Sequence, residues 1–124
     1  KDMKLQQDAR DGRNQFTTFA GDHVGINGEM HRGSLLVTPQ VIEVWRPARF
    51  DDLAGYDFAR ALDFVPEVVM LGTGERLRFP HPQLYQDLIA ARIGVEVMDS
   101  AAACRTFNIL CGEGRRVVVL LLLE

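Results

Sequence analysis

The fold is decided by the stretch Val117-Val118-Val119-Leu120-Leu121-Leu122 near the end of the chain. All of its residues are apolar and half are β-branched, which is typical of a strand buried on both faces. Two further apolar segments precede it, residues 65–71 and 95–98, and a segment with helical periodicity follows each of them. Strands and helices that alternate in this way form right-handed crossovers. The sequence therefore predicts a largely parallel sheet with residues 117–122 in its interior.

Three helices are predicted between and before these strands. Residues 51–64 carry apolar side chains at near-helical spacing, and Asp51 or Asp52 can cap the start of this helix. Residues 82–93 form the second predicted helix, which Gly94 terminates. The third spans residues 100–111 and ends at Gly112.

The first half of the chain has a different pattern, with short β-like runs separated by turn residues. Residues 16–45 predict an antiparallel meander, in which Asn27-Gly28 favours a type I′ hairpin turn. We expect an N-terminal arm over residues 1–15, either loose or pairing, and a single domain over residues 16–122. The last two residues, Leu123 and Glu124, resemble the start of an expression-tag remnant and are left out of the predicted fold.

Composition and charge narrow the function classes. The chain has 124 residues, of which 47% are hydrophobic, and its 14 basic and 17 acidic residues give a net charge of −3. Because the charges are interspersed, neither a nucleic acid nor an anionic membrane surface is an expected partner. The longest apolar run, residues 117–123, is far shorter than the roughly 20 residues that cross a bilayer. The sequence predicts no transmembrane segment, no signal peptide and a cytoplasmic location.

The first candidate site lies in Gly72-Thr73-Gly74, directly after an apolar strand. Ligands of open α/β sheets bind at the carboxyl ends of the strands, and glycine allows a close approach of backbone N–H groups. The segment is not a P-loop, and Leu77 stands where a dinucleotide fingerprint needs its third glycine. The alternative is a tight turn that requires positive φ.

The second candidate site is the start of the third helix. Asp99 or Ser100 can cap this helix, whereas its free N–H groups and dipole can also hold an anion. Arg105 and Asn108 share a face, and the apolar stripe that includes Cys104 points that side chain inward. The candidate ligand or partner residues are Gly72, Thr73, Gly74, Asp99, Ser100, Cys104, Arg105 and Asn108. Alternatively, Arg105 pairs with Asp99 or Glu113 and has a structural role.

No catalytic residue, metal site or cofactor is assigned. The three histidines, at positions 23, 31 and 81, have no metal-ligand spacing and none is committed to pairing with a cysteine. Cys104 and Cys111 lie about 10 Å apart along one helix, which is too far for a disulfide. Arg76 and Arg78 occupy alternate positions after the glycine loop. They form either a solvated strand face or a clamp for an anion.

The C-terminal half resembles a family. Three segments carry the resemblance: LGTGE at 71–75, GVEVMDSAAACRTFNIL at 94–110 and EGRRV at 113–117. They are similar to a small bacterial domain family of unknown function, related to a mitochondrial complex I assembly factor and to the adipogenesis-associated domain protein. Ser100 stands where we associate a threonine with the family, and Phe107 where we associate a tyrosine, which removes a hydroxyl group.

The resemblance implies a three-layer α/β fold, with a mixed central sheet, helices on its faces and an appended N-terminal β-hairpin layer. It implies no reaction, and for mitochondrial relatives it implies assembly through protein partners. Two hypotheses follow. The favoured one is a non-catalytic binding or assembly module with an unidentified protein partner. The alternative is an enzyme or receptor for a small anion held between Gly72–Gly74 and Asp99–Arg105. The sequence does not determine the oligomeric state.

Overall fold

A computed structural model describes residues 3–5 and 12–124 of the chain. Its central sheet has five strands, which are in spatial order β6 (Ile42–Val44), β5 (Leu35–Val37), β9 (Val117–Leu122), β7 (Val68–Thr73) and β8 (Gly94–Met98). The strands β7, β8 and β9 are parallel, and β9 lies between β7 and the antiparallel β5. Every residue of β9 is buried. The predicted interior position of this strand is therefore confirmed.

The first half of the chain is divided between two sheets. The strands β1 (Met3–Lys4), β2 (Phe16–Ala20), β3 (His23–Ile26) and β4 (Glu29–Arg32) form a separate antiparallel sheet. In contrast, β5 and β6 (Ile42–Val44) join the central sheet and make it mixed. The prediction of one meander over residues 16–45 was wrong at this point, because the apolar β5 pairs with the buried β9.

The hairpin turn between β3 and β4 has the predicted geometry. Asn27 and Gly28 both have positive φ, 56° and 87°, as a type I′ turn requires. The Asn27 side chain also accepts a hydrogen bond of 3.0 Å from the Gln15 backbone N–H. The turn is thereby tied to the segment that leads into β2.

Of the three predicted helices, one is continuous. The helix α3 (Ser100–Gly112) matches its prediction closely. Residues 51–64 form a 3-10 turn, the short helix α1 (Gly55–Ala59) and a second 3-10 turn, because the Asp57 carboxylate accepts the Ala54 N–H and starts a new helix there. Residues 82–93 form a 3-10 turn followed by α2 (Gln86–Ala90), and Gly94 is the first residue of β8 instead of a helix terminator.

Two apolar clusters cover the two faces of the central sheet. On one face, α3 and the N-terminal sheet pack together against side chains such as Met70 and Leu121. On the other face, the segments around α1 and α2 pack against Leu71 and Leu120. The result is the predicted three-layer fold, with the N-terminal sheet as an additional layer beside α3.

The ends of the chain pack onto the fold within the described residues. Leu5 and Leu123 belong to the cluster beneath α3, and the Glu124 carboxylate accepts a 2.8 Å hydrogen bond from the Phe50 N–H. The tag origin of residues 123–124 stays a prediction, although both residues contact the domain. Most of the predicted arm, residues 1–2 and 6–11, lies outside the described residues.

Candidate functional site

The two loops predicted to form a recognition site do meet, at the carboxyl ends of β7 and β8. The Ser100 N–H donates to the Gly74 carbonyl oxygen at 2.8 Å, and the Gly74 N–H donates to the Ser100 hydroxyl oxygen at 2.8 Å. This reciprocal pair joins the residue after β7 to the first turn of α3. We call Gly72–Gly74 together with Asp99–Ser100 the carboxyl-end junction.

The Ser100 hydroxyl is the centre of the carboxyl-end junction. Besides accepting from Gly74, it donates to the Leu122 carbonyl oxygen at 2.6 Å. The side chain is completely buried. One hydroxyl group therefore connects the end of β7, the start of α3 and the end of β9, and it has no contact with solvent.

The two glycines of the loop have separate structural roles. Gly72 belongs to β7, and a Cβ there would lie 2.8 Å from Leu121 Cδ1 and 2.9 Å from Ser100 Oγ. Gly72 thus permits the close packing of α3 on the sheet. Gly74 follows the strand with φ of 94°, as a turn of this kind requires.

Thr73, between the two glycines, holds the segment that follows. Its hydroxyl donates to the Arg76 carbonyl oxygen at 2.6 Å and accepts from the Arg78 N–H at 3.2 Å. The residue is 1% exposed. Thr73 therefore closes the turn after β7 and offers no hydrogen-bonding group to solvent.

The N-cap of α3 is Asp99, one of the two predicted candidates. Its carboxylate accepts the Ala102 N–H at 2.9 Å, and its carbonyl oxygen accepts the Ala103 N–H. Ser100, the other candidate cap, uses its hydroxyl elsewhere. Because the protein itself satisfies the N–H groups of Ser100, Ala102 and Ala103, little of the helix terminus remains for an external anion.

The three remaining candidate residues on α3 point in different directions. Cys104 is fully buried, as the apolar stripe predicted, and burial raises the pKa of its thiol well above the ordinary value. Asn108 donates to the Phe16 carbonyl oxygen at 2.8 Å and accepts the Phe16 N–H at 2.9 Å, which locks α3 to β2. Arg105 is exposed. Binding of an anion by these residues stays a prediction.

A cavity of about 280 Å³ opens beside Gly74, and residues 99–105 do not line it. Arg78 is engaged there, since its guanidinium lies 3.1 Å from the Asp51 carboxylate and 4.2 Å from the centre of the Phe50 ring. Arg76 is exposed and has no ion pair in the part of the chain that is described. The lining side chains are those of Thr73, Glu75, Arg76, Arg78 and Glu124.

Cysteine and metal chemistry can be stated for the described residues. Cys104 and Cys111 are both buried on the continuous helix α3, and they do not form a disulfide with each other. Within residues 3–5 and 12–124, no group of three or more histidine, cysteine or acidic side chains is arranged to hold a metal ion. In the same part of the chain, no helix combines the length and apolar character that crossing a bilayer demands.

Sequence reasoning missed an ion pair between the buried Asp57 and the half-exposed Arg46. The Asp57 carboxylate is almost fully buried, and it accepts hydrogen bonds from Arg46 Nε at 2.8 Å and from a terminal nitrogen of the same guanidinium at 2.7 Å. The Trp45 indole donates to the Asp57 carbonyl oxygen. The position of Asp57 in the first turn of α1 is the only sequence signal of this role.

A family model described as "Protein of unknown function (DUF498/DUF598)" matches residues 16–122. The chain belongs to this family. Among curated relatives, it is 36% identical over 92 residues to the mouse protein named NADH dehydrogenase [ubiquinone] 1 alpha subcomplex assembly factor 3, an alignment that covers 73% of this chain and 50% of the relative. The chain thus spans about half the length of that relative. An uncharacterized protein of Rhodobacter capsulatus is 36% identical over 97 residues, which cover 78% of this chain and 74% of the relative.

Solved structures agree with the fold of this family member. A crystal structure from Bordetella parapertussis has a TM-score of 0.87 and 33% identity, and the alignment covers 94% of this chain and all of that one. A Bordetella pertussis protein described as a Mth938-like domain has a TM-score of 0.82 and 29% identity, with 98% of this chain and 92% of that chain covered. The family resemblance seen in the sequence is therefore confirmed.

Proposed function

We propose that this chain is a non-catalytic protein-binding module that takes part in assembling the respiratory NADH dehydrogenase. The observation that carries the proposal is the identity of 36% to a relative named as an assembly factor of that enzyme. The aligned segment of 92 residues covers 73% of this chain, and one family model matches residues 16–122. A role that needs binding surfaces and no reaction centre suits such a chain.

The geometry of the carboxyl-end junction supports a binding role over a catalytic one. Its polar groups, above all the Ser100 hydroxyl and the Asp99 carboxylate, are engaged in hydrogen bonds within the protein. A general acid, a general base or a nucleophile needs a group that can reach a substrate. Cys104, the best nucleophile by residue type, is buried and holds its proton more tightly than an ordinary thiol.

Affinity purification from the native cell, followed by mass spectrometry of proteins and bound metabolites, tests this proposal. We expect subunits of the NADH dehydrogenase to be enriched with the tagged protein, in amounts that exceed those recovered with an unrelated domain of similar size. The matched control is the same purification from cells in which that enzyme is not expressed. Recovery of no subunit of this enzyme would overturn the proposal.

A second candidate function is the binding of a small anion beside the carboxyl-end junction. The cavity near Gly74 favours it, because Arg76 there is exposed and without an ion pair in residues 3–5 and 12–124. Thermal unfolding in the presence of inorganic phosphate or acetate tests this candidate. A rise in Tm that Arg76→Met abolishes and that Arg105→Met, outside the cavity, leaves unchanged would support binding in this cavity. An equal response of the wild type and Arg76→Met would exclude it.

A further inference from the structure

We propose that the outer edge of β8 is the surface on which an extended segment of a partner protein docks, adding a strand to the central sheet. The segment carries a basic side chain opposite Glu96, with apolar residues on either side of it. This inference deepens the proposed assembly role and rests on it, since it names the surface and the chemistry of the partner.

Within residues 3–5 and 12–124, no strand pairs with the outer edge of β8. All residues of β7 and β9 are buried, whereas Gly94 and Glu96 of β8 are exposed and its other residues are half-buried. Alternate backbone N–H and C=O groups of a strand point to opposite sides, so half of those in β8 point away from β7. In the described part of the chain, β8 makes one hydrogen bond besides its backbone pairing with β7. The Thr73 hydroxyl contacts the Met98 carbonyl oxygen. Unpaired groups in a row are a template for another strand.

The remaining edges of the two sheets fit a partner strand less well. The opposite edge of the central sheet is β6, which has three residues. The N-terminal sheet ends at β1, with two residues, and at β4, where Glu29 and Arg32 put opposite charges on one short strand. Among the edge strands of the described residues, β8 is the longest, with five residues and a single charged side chain.

Glu96 determines the charge of the partner. It lies in the middle of β8 and pairs in register with Met70 of β7, so its side chain is on the face of the sheet that α3 covers. Within residues 3–5 and 12–124, no ion pair or hydrogen bond engages its carboxylate. The half-buried Val95 and Val97 flank it on the opposite face. An added strand with a lysine or arginine opposite Glu96 gains a cross-strand pair of opposite charge.

The same carboxylate disfavours a second copy of this chain as the occupant. Antiparallel pairing of two β8 strands over their full length puts Glu96 opposite Glu96 of the second copy, and like charges in this position are destabilising. Shifting the register to Val95 or Val97 avoids the repulsion but leaves only three paired residues on each strand. Glu96 thus opposes self-association and selects a basic partner, which is how a charge on a strand edge gives specificity.

Two peptides test the proposal on the whole chain. Each has nine residues with valine at alternate positions, and the central residue is lysine in one and glutamate in the other. We expect the lysine peptide to bind about tenfold more tightly by fluorescence anisotropy, and to slow amide hydrogen exchange in Gly94–Met98. In Glu96→Lys this preference reverses. The matched control is Glu113→Lys, which makes the same charge change at an exposed position after α3 and leaves the preference unchanged.

Three results would overturn the proposal. The first is equal binding of the two peptides, and the second is slowed exchange at another edge of either sheet. The third is a dimer in solution whose formation slows exchange in β8, which would make a second copy the occupant. The peptide experiment and the purification can fail separately. Peptide binding at β8 without recovery of NADH dehydrogenase subunits would contradict the proposed function alone. Recovery of those subunits without peptide binding at β8 would contradict the docking edge alone.

Discussion

The carboxyl-end junction and the outer edge of β8 differ in how their hydrogen-bonding groups are used. At the junction, the buried Ser100 hydroxyl engages backbone groups of Gly74 and Leu122, and the Asp99 carboxylate caps α3. Along β8, the Thr73 hydroxyl at the Met98 carbonyl oxygen is the one hydrogen-bonding group of the described residues that adds to the pairing with β7, and none of them engages the Glu96 carboxylate. The polar residues of the carboxyl-end junction thus stabilise the fold, whereas the groups that can form new hydrogen bonds lie on β8.

The largest effect is expected for Gly72→Val, which tests whether the junction is closely packed. A Cβ added at this position would lie within 3.1 Å of atoms of Leu121, Ser100 and Ala103, and valine adds two further carbons. Overpacking of this kind costs about 3 kcal/mol of the free energy of unfolding. Denaturant unfolding measures the loss.

Gly112→Ala is the matched control for this variant. It adds a carbon to the last turn of α3, where nothing lies within 4 Å of the new atom. We expect the free energy of unfolding to stay the same or rise by up to about 1 kcal/mol, because alanine favours helix over glycine. A loss for Gly72→Val no larger than the change in the control would contradict a packed junction.

Ser100→Ala is expected to have the next largest effect. Removing the hydroxyl leaves the Gly74 N–H and the Leu122 carbonyl oxygen buried and unpaired, at a cost of about 2 kcal/mol of the free energy of unfolding. Thr106→Ala removes a hydroxyl from the same helix without a hydrogen bond in the described residues, and it should change stability by less than about 0.5 kcal/mol. Equal losses in the two variants would show that the Ser100 hydroxyl does not join the three elements.

The next prediction concerns the reactivity of the two cysteines and needs no substitution, so the stability of the protein is unchanged. Burial raises the pKa of the Cys104 thiol, so the reactive thiolate form is scarce at about pH 8. We expect iodoacetamide to leave Cys104 and Cys111 unmodified in the folded protein and to label both in denaturant, with mass spectrometry as the readout. Rapid labelling of Cys104 in the folded protein would mean that the helix start is open, and a bridge between the two cysteines would contradict the continuous α3.

The smallest effect on stability is expected for Glu96→Lys. The side chain is exposed and makes no ion pair in residues 3–5 and 12–124, so the free energy of unfolding should change by less than about 0.5 kcal/mol. Denaturant unfolding checks this value. A loss above about 2 kcal/mol of the free energy of unfolding would show that Glu96 stabilises the fold, as the residues of the carboxyl-end junction do.

Much of the fold follows from local sequence patterns. Continuous apolar runs identify β7 and β9 because only a doubly covered strand tolerates such a run, and Asn27-Gly28 identifies a turn because both residues need positive φ. The division of the first half between two sheets was not predictable, since it depends on β5 pairing with β9, a partner more than 80 residues away along the chain.

The location of the candidate site was predictable from the sequence, but the hydrogen-bond partners of its residues were not. Parallel strands bring Gly74 and Ser100 to the same edge of the sheet, and the structure agrees. Whether a hydroxyl faces solvent or a backbone carbonyl depends on angstrom-scale packing, here of Ser100 against Leu122. The open edge of β8 leaves no motif in the sequence, because backbone groups without partners are the same in every residue type.

The most direct test of the central claim is assembly of the NADH dehydrogenase in native cells from which the gene has been deleted. Cells that again carry the wild-type gene, or the Glu113→Lys control, should regain the fully assembled enzyme on native gels. Cells that carry Glu96→Lys should contain the folded protein at normal levels and accumulate incomplete enzyme. Full assembly in the deleted cells would contradict the assembly role, and full assembly with Glu96→Lys would contradict docking at β8.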